Sequence, residues 1–91
     1  MLRFEWDEAK AGVNLSKHGV SIEEAATVFG DALALTFPDP DHSVGERRWL
    51  TIGLSTKGRV LVVVHIEKGR TLRIISARKA TRYEREIHEE G

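Results

Sequence analysis

The stretch RIISARKATRYERE, residues 73–86, begins as a β-strand would and ends as a helix would. Arg73, Arg78, Lys79 and Arg82 gather around the junction. Free amides at a helix start, here Ala80 to Arg82, together with a neighbouring guanidinium can hold a phosphate. The same residues fit a purely structural account, in which Arg78 pairs with Glu84 and Thr81 caps the helix. His65 ends the apolar run VLVVVH, and a tight turn, KGR at 68–70, folds Arg73 onto the neighbouring antiparallel strand. Imidazole titrates near neutral pH, so His65 is a candidate for proton transfer. A lone strand histidine also fits a packed core position, and both readings stand.

Other chemistries lack their residues. The four histidines, His18, His42, His65 and His88, fall in no recognised metal-site spacing, and there is no cysteine. GLSTKG lacks the Gly-Lys-Ser/Thr ending of a phosphate-cradling loop. No serine sits in a nucleophile-elbow context. Neither a metal nor a cofactor is expected.

The elements that must position these residues follow from patterning. LRFEWD alternates Leu2, Phe4 and Trp6 with polar residues, as a short strand does. Asp7 can cap a helix over Glu8 to His18, with Lys17 and His18 at its carbonyl end and Gly19 as terminator. Ser21 and Glu24 read as a capping box for a second helix that ends at Gly30. ALALTF is a short strand stopped by PDPD, residues 38–41. Strands follow at 48–55, 59–67 and 71–78, the middle one apolar on both faces and so central. Thr81 and Glu84 form another capping box and open the last helix. The order is β-α-α-β-β-β-β-α, which predicts an α+β fold: a small antiparallel sheet flanked by helices.

The 91 residues suffice for one domain spanning 1–91, with a modest core that a partner would help. No apolar run approaches a membrane span, and the first residues carry no signal pattern, so a cytoplasmic protein is expected. The net charge is zero. Residues 1–45 nevertheless hold three Lys/Arg against eight Asp/Glu, a net of −5, and residues 46–91 hold eleven against six, a net of +5. The two halves either present two electrostatic faces or neutralise each other across the fold.

Taken together, FEWDEAK, NLSKHGVS, VVVHIE and RIISARKATRYERE resemble the BrnT family of bacterial type II toxins. The resemblance runs from about Phe4 to Glu89, in the same order and with matching gaps. It implies a ribonuclease with a fold similar to the RelE toxins. It also implies a BrnA-type antitoxin as partner, encoded beside the toxin, and contact with operator DNA only through the toxin–antitoxin complex. RelE toxins are usually strongly basic, whereas this chain is neutral, which weakens non-specific attraction to RNA phosphates.

A metal-free ribonuclease uses the 2′-hydroxyl of its RNA substrate as nucleophile. The protein must move two protons and stabilise charge on phosphorus. On this reading Arg73 and Arg78 clamp the scissile phosphate and His65 is the acid or base. His42 and Glu84 are further acid/base candidates. Lys17, Arg47, Lys79 and Arg82 would hold flanking phosphates, and Tyr83 would stack a base or donate to phosphate. Two alternatives compete: a non-catalytic protein-binding module, and a decayed toxin that keeps only its partner.

Overall fold

The computed structural model describes residues 2–40 and 47–91. Strand β1, Arg3–Glu5, ends where Asp7 takes an extended backbone and accepts hydrogen bonds from the amides of Ala9 and Lys10. Helix α1, Glu8–His18, follows and stops at Gly19, whose φ of 67° is the left-handed conformation glycine adopts without strain. Helix α2, Ile22–Thr27, runs into a short 3-10 segment, Val28–Gly30. Strands β2 (Leu35–Pro38), β3 (Trp49–Leu54), β4 (Val60–Lys68) and β5 (Thr71–Lys79) complete the sheet, and α3, Arg82–Glu90, closes the chain. The predicted α+β order holds among the described residues. Asp41 and His42, in and beside the predicted turn, lie outside them.

The sheet order is β1-β5-β4-β3-β2, so the apolar strand β4 is central as its composition requires. Neighbours among β2 to β5 are antiparallel. The departure from an all-antiparallel sheet is β1, which joins the β5 edge in parallel through Arg3–Thr71, Phe4–Leu72 and Glu5–Arg73. The α1 and α2 side carries the main core, where Val20, Ile22, Ala25 and Val28 meet Leu61, Val63, Leu72, Ile74 and Ala77. A smaller cluster of Ile52, Val62 and Ala80, with Leu50 and Val60 against it, fills the other face beside α3.

One contact differs from the capping patterns in the sequence, and one buried side chain ties the elements together. Ser21 Oγ accepts from the Glu24 amide, but the Glu24 carboxylate does not return to Ser21. It turns inward to accept from Ser55 Oγ at 2.7 Å and from the guanidinium of Arg59. Asn14 is buried mid-helix and bridges elements. Its side-chain amide donates to the carbonyls of Val20 and Ala77, and its oxygen accepts from the Ala77 amide. Beyond the short β1, Asn14 thus satisfies the edge of β5 as a neighbouring strand would. Among the described residues no helix is long and apolar enough to cross a membrane.

Candidate active site

Strict alternation along β5 would put Arg73 and Arg78, five residues apart, on opposite faces. The register does otherwise. Val64 pairs with Ser76, but the next residue, His65, pairs with Ile74, so Ile75 is an extra residue on β5. This bulge reverses the alternation. Arg73 lies opposite Ile66 and Arg78 opposite Val62, and both arginines face the α3 side. Four residues of β4 separate the two positions, about 13 Å at 3.3 Å per residue.

Both guanidiniums are held by carboxylates. Arg73 donates to Glu5 Oε1 at 3.2 Å across the parallel pair. Arg78 makes a two-pronged contact with Glu84, its two terminal nitrogens 2.7 and 2.8 Å from the carboxylate oxygens. Glu84 also accepts from the Thr81 amide, and its own amide donates to Thr81 Oγ1, which completes the capping box of α3. The fork from Arg78, helped by Thr81, holds the Glu84 carboxyl down to about 2, and the Arg78 pKa is raised in return. Glu84 is therefore a carboxylate at neutral pH. The amides assigned from the sequence to a phosphate are partly engaged: Ala80 donates to the Val60 carbonyl and Thr81 to Glu84.

A third arginine belongs with these two, although sequence reasoning passed over it in favour of its neighbour. Trp49 begins β3 opposite His65, and extending that alternation one residue back puts Arg48 in the phase of Leu50 and Ile52, level with Ile66 and Arg73. The sequence signal was available, because 48–55 alternates and Arg48 shares the phase of Leu50. Arg47 instead stacks its guanidinium on the Trp49 ring, 5.5 Å from the centroid.

His65 is fully buried on the opposite face, in the α1 and α2 core. Its ring meets Phe29 edge-on at 4.9 Å, and its Nε2 lies 2.7 Å from Thr51 Oγ1, which is 2.8 Å from Thr36 Oγ1. Nδ1 has no hydrogen-bond partner and sits 4.0 Å from Glu67 Oε1. Burial pushes its pKa down to about 4. The sheet itself therefore stands between His65 and the two arginines, and this geometry does not bring the three together. The strand pairing inferred from the KGR turn is present, but β4 and β5 side chains alternate faces and those of His65 and Arg73 point apart.

The remaining candidates divide likewise. Tyr83 is 72% exposed in the first turn of α3, next to Glu84. Arg82 is exposed there and pairs with Glu86 at 3.3 Å. Lys79 is exposed and pairs with Leu61, in the phase of the α1 and α2 face. Lys17 is exposed in the last turn of α1, near Ile75 and Ser76. His42 lies outside the described residues. Among the described residues no group of three His, Cys, Asp or Glu is placed to hold a metal ion.

The site is thus a sheet face with three arginines, bordered by the start of a helix bearing an exposed tyrosine. Such a face can hold consecutive phosphates of a single strand. No curated protein sequence matches the chain. Its fold is similar to the crystal structure of the Brucella abortus ribonuclease toxin BrnT, with a TM-score of 0.69 and 25% identity over 90% of this chain and 100% of that one. The sequence model of the family described as the ribonuclease toxin BrnT of type II toxin–antitoxin systems matches residues 6–84. This chain belongs to the BrnT family of ribonuclease toxins.

Proposed function

We propose that the chain is a metal-independent endoribonuclease that acts in the cytoplasm on single-stranded RNA, with the face of Arg48, Arg73 and Arg78 as its substrate site. A BrnA-type antitoxin neutralises it, and operator DNA is contacted only through that complex. The observation that carries the site is the bulge at Ile75, which places Arg78 on the same face as Arg73.

The 13 Å between the two backbone positions suits separate phosphates better than a shared one. Arg78 is the arginine whose orientation is fixed, because Glu84 grips two of its nitrogens and the Lys79 carbonyl accepts from Nη1 at 3.3 Å, while the Nε–H and the second N–H of Nη2 can still donate. A donor held in place before the reaction costs no reorganisation when charge develops on phosphorus. Arg78 therefore stabilises the scissile phosphate, and Arg73 and Arg48 hold its neighbours. Glu84 positions Arg78. Tyr83 stacks a base or donates to phosphate, and His42 remains the acid/base candidate outside the described residues.

Purified protein incubated in EDTA with defined single-stranded RNA, once alone and once with ribosomes, should leave cyclic or 3′-phosphate ends, and cutting only with ribosomes would mean that the site is completed there. Arg78→Ala should lower the cleavage rate by about a hundred- to a thousandfold, the usual loss for one donor to a developing oxyanion. Circular dichroism must show the variant folded. Wild-type cleavage by folded Arg78→Ala rejects the assignment. One observation favours the rival reading of a non-catalytic binding module: His65, the sheet histidine, is sealed from solvent. Failure to cut any RNA in either condition would reject the ribonuclease reading and leave the binding module and the decayed toxin.

A further inference from the structure

A groove runs between α1 and the β5 edge beyond the reach of β1, lined by Lys10, Val13, Asn14, Lys17, Ile75 and Ser76 together with His18. Lys10, Val13, Asn14 and Lys17 fall at i, i+3, i+4 and i+7, one stripe of α1. Val13 is 64% exposed, an apolar side chain on a helix whose other face already packs. The bulged Ile75 forms the opposite wall and is half-buried. Neither Lys10 nor Lys17 forms an ion pair with a described residue, and no carboxylate lines the groove.

We infer that this groove is a docking site for an acidic amphipathic helix of the antitoxin, an inference that rests on the antitoxin reading above. The occupant follows from three features. Strand addition is blocked, because Asn14 already holds both backbone groups of Ala77 on this edge. RNA is a poor fit, because no Phe, Tyr or Trp and no arginine lines the groove, His18 stands at its end, and its centre is aliphatic. What remains is charge and apolar complementarity. Lys10 and Lys17 lie about 10 Å apart along the helix axis, at 1.5 Å per residue. A partner helix with two carboxylates two turns apart and an apolar residue between them would meet both lysines and seat that residue on Val13 and Ile75. The groove lies at the sheet edge beside α1, away from the α3 side where the arginines stand.

The test uses the full chain with the antitoxin encoded beside it. Binding is measured by calorimetry for wild type, Lys10→Glu and Val13→Glu, and each free variant is assayed for RNA cleavage. Both positions are exposed, and Lys10→Ala serves as a milder second variant should a reversed charge disturb α1. The expected result is at least tenfold weaker antitoxin binding in each variant with cleavage unchanged. Wild-type affinity in folded Lys10→Glu and Val13→Glu overturns the inference. So does lost cleavage with antitoxin affinity retained, which would assign the groove to RNA. If wild type itself binds no antitoxin, the partner reading has failed, and the groove inference falls with it while the cleavage assay still stands.

Discussion

His65 sits where a proton is costly: its ring lies against Phe29, one nitrogen meets Thr51, and the other has no hydrogen-bond partner. In the unfolded chain a histidine takes a proton near pH 6.5, whereas here burial delays it to about pH 4. Between those values the unfolded state binds more protons than the fold, so stability rises with pH. The contribution is whole above about 6.5 and drains as pH falls toward 4. From pH 7 to pH 5 wild type should lose about 2 kcal/mol through this residue. Urea unfolding at both pH values, compared with His65→Gln, checks it: the variant keeps a polar group for Thr51 and does not titrate. Equal losses in the two proteins would show that His65 is not the cause. Glu84 follows at lower pH: the stability of its pair with Arg78 is present above about 4.5 and is lost as pH falls toward 2.

At the scale of elements, Asn14 fastens α1 to the start of α2 and to β5 through three buried hydrogen bonds. Asn14→Ala leaves an amide and two carbonyls without partners. At about 1–3 kcal/mol for each buried unsatisfied group, with partial relaxation, the loss should be on the order of 3 kcal/mol by chemical denaturation. A loss under about 1 kcal/mol would mean that the edge of β5 does not depend on Asn14. The long-range bonds of Asn14 to Ala77 have no local signature in the sequence. The element order was legible because Asp7, Ser21 and Thr81 mark helix starts chemically and because β4 is apolar on both faces. The parallel docking of β1 was not, since three residues of pairing leave no composition signal. The site was half legible. Arg73, Arg78 and Glu84 are where a strand end followed by a capped helix puts them. Which face each side chain takes depended on the bulge at Ile75, and a bulge of ordinary residues is invisible to a period-two pattern.

Across the whole molecule the acidic and basic halves of the chain are stitched together. Glu5 pairs with Arg73, Glu24 with Arg59, and Asp31 with His88, each a carboxylate from the first half against a nitrogen base from the second. The two arginine pairs offset part of the charge asymmetry, in a protein of zero net charge whose attraction to RNA must be local. That has a measurable form. Binding through Arg48, Arg73 and Arg78 neutralises about three phosphates, so log Kobs should fall with log salt at a slope of about −2 for a single strand. The probe is a single-stranded oligonucleotide methylated at every 2′-hydroxyl, which lacks the nucleophile and so binds without being cut. Fluorescence anisotropy across a salt series gives the slope, and Arg78→Ala should reduce its magnitude by about 0.7. A slope about twice as steep would mean that Lys17, Lys79 and Arg82 also hold the strand, and the footprint would then wrap around the sheet edge. A slope near zero would mean that stacking on Tyr83 and contacts to the bases dominate, and the arginine face would lose its place as the substrate site. The intermediate value distinguishes a small, orientation-fixed phosphate clamp from both, which is the form of recognition available to a toxin of zero net charge.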